Sequence, residues 1–458
     1  MKKLTMFFAL AMAVCYCHAQ LATPAQIGEM LKSGKQQEAI KAATQLYKKN
    51  KKDVNLICDI SRVFLTNDDT ESAMDFALKA DAAAKSKSAK VHCLIGDIWY
   101  TKDEGGNATQ EYAQAITVDP NDTIGYVRYA NVYKDKFPDE AIAKLNELKA
   151  VRPDVDVDKL IARAMYNGHH EKEAAKYYAK CDMNTLAIDD ISSYAFAALF
   201  GIGDANKALE IAQFGASKNS QVAVFPRIQL YSLASLGKNE EALEVAKKLF
   251  DIVGDGGNML DYQFYGGVLN GVNRNEEAIA AFRKAMEISP ERTDILTKIA
   301  ATYSLMKDFD NATKTMDEYF AKAGEAGQTF DNYSTLADIY VAKARAISDA
   351  STAETETEQN EVKAAVEPVM AQAFATYDKA IAKKPHYFLG YYNKGVAQYA
   401  FGNIEGAKES FSKVAEILEA EGTNKSYLKA AYTYLGNCYI KLEDTETGKA
   451  FQEKAAAI

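Results

Sequence analysis

YGGVLNGVNRNEEAIAAFRKAMEISP, residues 265–290, poses the choice on which the fold turns. Gly266, Gly267 and Gly271 stand just ahead of a strong helix-forming run. Glycines opening a helix can cradle a phosphate on backbone N–H groups. Small residues inside a helix instead let a second helix approach closely. The Gly-Lys-Ser/Thr ending of a phosphate loop is missing here, and no strand pattern precedes the glycines. The stretch therefore reads as two helices joined by a turn, with Gly266 inside the first, Gly267 on an open wall and Gly271 toward the turn.

The phrase NRNEEA, ending at Ala278, recurs as GKNEEA ending at Ala242, and looser versions end at Ala39, Ala73, Ala108, Ala141, Ala174, Ala208 and Ala312. Successive intervals from Ala39 to Ala312 are 34, 35, 33, 33, 34, 34, 36 and 34. Ala373 follows after 61, Ala407 after 34, and Gly448 holds the same place after a further 41. A period this steady marks a repeat architecture. Around each small residue the chemistry also recurs: Tyr262, Gly266, Leu269, Ala278, Phe282, Ala285 and Pro290 in one unit, and Gly96, Trp99, Ala108, Tyr112, Ala115 and Pro120 in another. Asn or Asp before the second helix, such as Asn275, is expected to accept from its free N–H groups.

These residues resemble the tetratricopeptide repeat, whose pattern is W-x₂-L-G-x₂-Y, then A-x₃-F, then P. The resemblance covers residues 20–458. It implies an all-α fold, an α-solenoid wound as a right-handed superhelix of about 12 helix-turn-helix units. Unit boundaries fall near 20–53, 54–88, 89–122, 123–155, 156–188, 189–222, 223–257, 258–292, 293–328, 329–387, 388–424 and 425–458. The units at 156–188, 189–222 and 425–458 depart most, with Ser192 where an aromatic is usual and Gly448 in the alanine place. The tenth unit carries an insertion, residues 344–367, with six carboxylates against Arg345 and Lys363. It reads as a solvated loop flanked by helix extensions, with no Asp-Gly calcium loop.

Residues 1–19 stand apart. Lys2 and Lys3 precede an apolar run from Leu4 to Cys17, too short to span a bilayer, and Cys17-His18-Ala19 resembles a small-residue cleavage site. A cleaved export signal, cut between Ala19 and Gln20, is the expectation, with lipoprotein anchoring the weaker alternative. The mature protein is then expected in the periplasm or cell envelope. Asp122-Thr123-Ile124 fits the O-glycosylation sequon of exported Bacteroidetes proteins, which this chain resembles in that respect. Loss of Lys2 and Lys3 takes the net charge from −9 to −11, a poor match to nucleic acid or an anionic membrane. Cys58, Cys93, Cys181 and Cys438, widely and unevenly spaced, fit neither a metal knuckle nor a disulfide framework. Free thiols are expected. His169-His170 has no third ligand nearby in the repeat, so no metal is expected.

Function follows from the resemblance: a non-catalytic scaffold or adaptor that takes a protein or peptide partner in a concave groove lined by first helices. The repeat register puts Asn131, Lys159, Arg163, Arg227, Tyr231, Gln263 and Asn270 on that wall. Lys159, Arg163 and Arg227 suggest a basic strip suited to an acidic peptide or C-terminal carboxylate. The alternative is a glycan or small-molecule binding component of an uptake system, resting on Tyr231 and Tyr392. No Ser-His-Asp set or H-E-x-x-H motif supports an enzyme, and no cofactor is implied. The chain stops in the second helix of its last unit, where exposure of Phe451 and Ile458 is expected to allow self-association.

Overall fold

The computed structural model describes residues 21–352 and 355–458. The expected export signal, with Ala19 and Gln20, lies outside the described residues. Among those residues there are 24 α-helices and no strand. The chain divides into two compact units, the first ending at Ser220 and the second running Gln221–Ile458.

The first unit begins with α1 (Pro24–Lys32) and α2 (Gln36–Lys49), then α3 (Val54–Leu65) and α4 (Thr70–Ala84). Next come α5 (Ala89–Thr101) and α6 (Gly105–Val118), then α7 (Thr123–Tyr133) and α8 (Pro138–Val151). It closes with α9 (Val157–Asn167), α10 (Glu171–Tyr178), α11 (Ile188–Phe196) and α12 (Ala205–Lys218). A π-helical turn, Ala197–Gly201, carries α11 toward α12. The second unit opens with α13 (Val224–Ser235) and α14 (Asn239–Val253), then α15 (Met259–Gly271) and α16 (Asn275–Ile288). α17 (Ile295–Leu305), α18 (Phe309–Gly327), α19 (Phe330–Asp349) and α20 (Glu356–Lys383) follow. α21 (Phe388–Ala400), α22 (Ile404–Glu421), α23 (Lys425–Lys441) and α24 (Thr445–Ala456) complete it. Odd- and even-numbered neighbours pair as hairpins, and the even helix of most pairs also packs on the odd helix that follows, as α6 does on α7 and α16 on α17. Each unit is thus a stack of six hairpins, an all-α solenoid in which no hairpin covers its own apolar face.

The recurring alanine is the place where helices meet. All eleven, from Ala39 to Ala407, have no exposed surface, and Gly448 is buried in the twelfth hairpin. Opposite it, a glycine on the first helix receives a ring from the second. A Cβ on Gly266 would lie 2.7 Å from the Phe282 ring, one on Gly96 2.4 Å from Tyr112, and one on Gly395 3.1 Å from Phe411. Glycine and ring keep the same spacing along the chain in all three pairs, so one contact is copied from hairpin to hairpin. Gly267, next to Gly266, is exposed and would meet nothing.

Second helices start on caps of the expected kind, at other residues than Asn275. Asp69, Asp204, Asp308, Asn403 and Asp444 accept from the backbone N–H three residues on. Asn275 is already inside α16, whose N-cap is Arg274 with no side-chain bond. The sequence places Asn273-Arg274 in the tight turn, with Asn273 at φ 61°, which shifts the helix start by one residue.

The insertion is mostly helix. α19 runs on to Asp349 and α20 starts at Glu356, leaving only residues 350–355 between them. The loop flanked by helix extensions expected over 344–367 is present, with the extensions taking up most of its length. The reason is legible in Thr355-Glu356-Thr357-Glu358, a capping box: Thr355 Oγ1 accepts from the Glu358 N–H (3.3 Å) while Glu358 Oε2 accepts from the Thr355 N–H (3.0 Å). Ala344 and Val366 bury against each other's helices, with Ile347 and Val362 alongside.

The end of the stack also differs from expectation. Phe451 is half-buried, its ring 5.5 Å from Tyr439 and 5.9 Å from Tyr432. Lys449, Gln452, Glu453 and Lys454 take the outer side of α24. Only Ile458 of the expected apolar face is exposed. α24 is amphipathic, so it turns Phe451 inward and closes its unit with polar side chains.

Candidate partner-binding groove

First helices carry all seven groove residues, Asn131 on α7, Lys159 and Arg163 on α9, Arg227 and Tyr231 on α13, and Gln263 and Asn270 on α15. The first three lie in the first unit and the other four in the second.

The basic strip is largely neutralised. Arg163 donates twice to Asp190, at 2.6 and 2.7 Å, from α9 of one hairpin to α11 of the next. Arg227 makes the same bidentate pair with Asp261 on α15, at 2.8 and 3.0 Å. Each carboxylate also accepts from a tyrosine hydroxyl, Tyr178 for Asp190 (3.4 Å) and Tyr231 for Asp261 (2.6 Å). A third knot joins Asp97 to Arg128 (2.8 Å) and Tyr112 (3.0 Å). Asp190 is 3% exposed and Asp261 fully buried; burying a carboxyl group is costly unless it is paired and hydrogen-bonded. Burial by itself pushes the Asp190 carboxyl up, but the Arg163 hydrogen bonds and charge outweigh it and hold the group below the usual carboxylate range. Lys159 remains as a cation, 4.0 Å from Asp156. The expectation of a free strip is therefore corrected at Arg163 and Arg227. Tyr231 is corrected too: its ring is 2% exposed and stacks on Phe264, and burial followed by the Asp261 hydrogen bond drives its hydroxyl far above the usual tyrosine range.

Gln263 and Asn270 fare differently. They line a cleft of about 360 Å³ across α13, α15 and α17, together with Asn239, Phe264, Gly267 and Lys298. Asn270 donates to Thr302 Oγ1 (2.7 Å), while its Oδ1 is buried with no donor. Gln263 Oε1 accepts from Arg292 (3.3 Å). The exposed Lys298 ammonium makes no ion pair with a described residue. Gly267 opens the floor, because a side chain there would project into the space. The cleft thus offers amides, one cation and an aromatic wall. Asn131 is half-buried on α7 in the other unit. Asn239 was missed because it opens a second helix, α14, while the groove was sought on first helices alone, and Lys298 because it stands on α17, one hairpin beyond the residues considered. The signal that could have found the Arg227–Asp261 pair is opposite charges one repeat period apart.

Among the described residues no group of His, Cys, Asp and Glu could hold a metal ion. His170 Nε2 lies 3.2 Å from the Asp135 carbonyl oxygen, and His169 sits in the turn at φ 59°. The four described cysteines are free, three of them buried, and burial pushes the Cys93, Cys181 and Cys438 thiols up to about 11.

Residues 262–292, the hairpin of α15 and α16, match the sequence profile described as "Tetratricopeptide repeat". That hairpin is a tetratricopeptide repeat by its sequence. No curated protein matches it. Among solved structures, the chain is similar to the C-terminal part of a TPR repeat-containing protein from Cytophaga hutchinsonii, at 18% identity, covering 58% of this chain and 94% of that one, with a TM-score of 0.45. It is also similar to human IFIT1, solved as a dimer with m7Gppp-AAAA, at 12% identity over 81% of this chain and 90% of that one, TM-score 0.39. A third similarity is to the Naa15/Naa10 structure bound to HypK-THB, at 15% identity over 93% of this chain and 67% of that one, TM-score 0.31. No helix among the described residues is long and apolar enough to cross a membrane.

Proposed function

We propose that the protein is a non-catalytic interaction scaffold that holds an extended segment of a partner protein in the α13–α15–α17 cleft. The observation that carries this is the convergence of Gln263, Asn270, Asn239 and Lys298 on one open cleft whose floor is left clear by Gly267. The amide side chains of Gln263 and Asn239 on the cleft suit an extended backbone, since each amide offers both donors and an acceptor. Lys298 supports a carboxylate beside it. Site of action is the cell envelope, a reading supported by the basic start and apolar run of residues 1–19 alone. A glycan-binding role has less support, since the Tyr231 ring is buried and Tyr392 is half-buried among Phe411, Tyr427 and Tyr434. Self-association through the last hairpin likewise has little support from the polar side of α24.

A photo-crosslinking residue at Gln263, introduced into the full chain in its native cells, tests the groove. A discrete protein adduct is expected, reduced by Lys298→Glu, with none from the same crosslinker at the exposed Leu78. Equal adducts at both places, or an adduct indifferent to Lys298→Glu, would overturn the reading.

A further inference from the structure

Four successive first helices of the first unit finish on a ring. Tyr100, Tyr133, Tyr166 and Phe200 each stand eight residues before the recurring alanine of their hairpin, at steps of 33, 33 and 34. Tyr100 is 49% exposed and Phe200 43%, while Tyr133 and Tyr166 are half-buried. The same place in the second unit shows which way it faces: Ala234 and Asn270, eight before Ala242 and Ala278, both line the groove cleft. The π-helical turn that carries Phe200 keeps this register. A Cβ on Gly201 would lie 2.6 Å from the Glu171 carbonyl carbon, and one on Gly271 2.0 Å from the Asn239 side chain. Glu171 and Asn239 are equivalent residues, each three before its alanine. One ring per hairpin thus recurs along the open wall of the first unit. Its last ring sits on a π turn, a feature frequent at functional sites.

The rings are braced and their surroundings neutral. Tyr133 lies between Tyr129 (5.1 Å) and Phe137 (6.0 Å), and Phe196 links Tyr166 (6.1 Å) to Phe200 (4.6 Å). Asp97 and Arg163, one turn before Tyr100 and Tyr166, are already bound by Arg128 and Asp190. An uncharged segment complements such a wall better than an acidic or a basic one. Spacing then selects its conformation. α5, α7, α9 and α11 pack in succession, and packed helices lie about 8–10 Å apart. A β-strand returns to one face every two residues, about 7 Å, and an α-helix every turn, about 5 Å, or every second turn, about 11 Å. A polyproline II helix returns every three residues of about 3.1 Å each, or about 9 Å. Proline also suits tyrosine chemically. Its carbonyl accepts from a phenol hydroxyl, and it brings no N–H that needs a partner.

We propose that the row Tyr100, Tyr133, Tyr166 and Phe200 binds a proline-rich segment of a partner protein in the polyproline II conformation, with a proline at every third position packed on successive rings. Four rings engage about ten residues of such a segment. The inference rests on the register of the open wall and not on what the groove binds.

Fluorescence anisotropy with the full chain and three labelled, uncharged peptides of equal length tests it. One has proline at every third position, one the same composition with proline at every second position and none at the end, and one is a helix of leucine and glutamine. The first is expected to bind at least about tenfold more tightly than the others, with little change on adding salt. Tyr100→Ala and, separately, Phe200→Ala should each weaken it by about threefold to tenfold, with helical circular dichroism retained because both rings are exposed. Lys298→Glu should leave it unchanged. Equal binding of the two proline peptides, preference for the helical one, or no binding by the first would each overturn the proposal. So would insensitivity to both ring variants, or displacement of the peptide by cellohexaose at lower concentration than by unlabelled peptide, which would make the row a glycan site. Loss of binding on Lys298→Glu would move the peptide to the groove and overturn it as well.

Discussion

Gly266 and Gly267 are neighbours with opposite fates. Gly266 is the seat of the Phe282 ring, which is 2% exposed and has no room to withdraw. Gly266→Ala should therefore destabilise by about 1–3 kcal/mol through overpacking. Gly267 faces open space inside the same helix, so Gly267→Ala should stabilise by about 0.5–1 kcal/mol, the usual cost of a helical glycine. Urea titration of both variants checks the pair, and equal shifts in one direction would sink the assignment. The glycine-to-ring contact was legible in the sequence because spacing fixes it. Partnership of the arginines was not, since reading Lys159, Arg163 and Arg227 as a strip considered one hairpin at a time. Asp190 and Asp261 reach them from the next hairpin.

At the scale of elements, the carboxylate knots tie one hairpin to the next. Asp190 joins α11 to α9, and its carboxyl is held low in the folded protein. A depressed folded pKa contributes stability above the unfolded value of about 3.9 and loses it as pH falls through the folded value. The stability gap between the native chain and Asp190→Asn should thus be widest above about pH 5 and shrink on acidification toward about pH 3. Denaturant melts across that range measure it; a gap that grows in acid would contradict the knot. Helix ends were partly readable. Aspartates 69, 204, 308 and 444 cap as their residue type suggests, yet Asn275 does not, because the residue that precedes it spends its backbone on the turn. Helix extensions were expected in the acidic insertion, but not where α20 starts, because the capping box at Thr355 is hidden among repeated Thr-Glu pairs.

Across the whole molecule, each compact unit stands on six hairpins whose cohesion is between neighbours, so its ends are its weak places. α24 covers Tyr432, Leu435 and Tyr439 in the last hairpin. A chain ending at Leu442 should expose that face and self-associate, while the full chain does so less. Sedimentation velocity over a range of concentrations distinguishes them, and a truncated chain that stays monomeric would show that α24 is no cap. The period itself has a further consequence for change in chain length. Ala278 and Ala312, one repeat period apart, are both fully buried. Excising residues 278–311 would rejoin NRNEE to ATKTMDEYF, with every later side chain still facing its old neighbour type. Losing a single residue within α16 would instead rotate all that follows by about 100°. Removing a whole repeat is thus gentler than removing one residue, because it shortens the protein while leaving its joints intact.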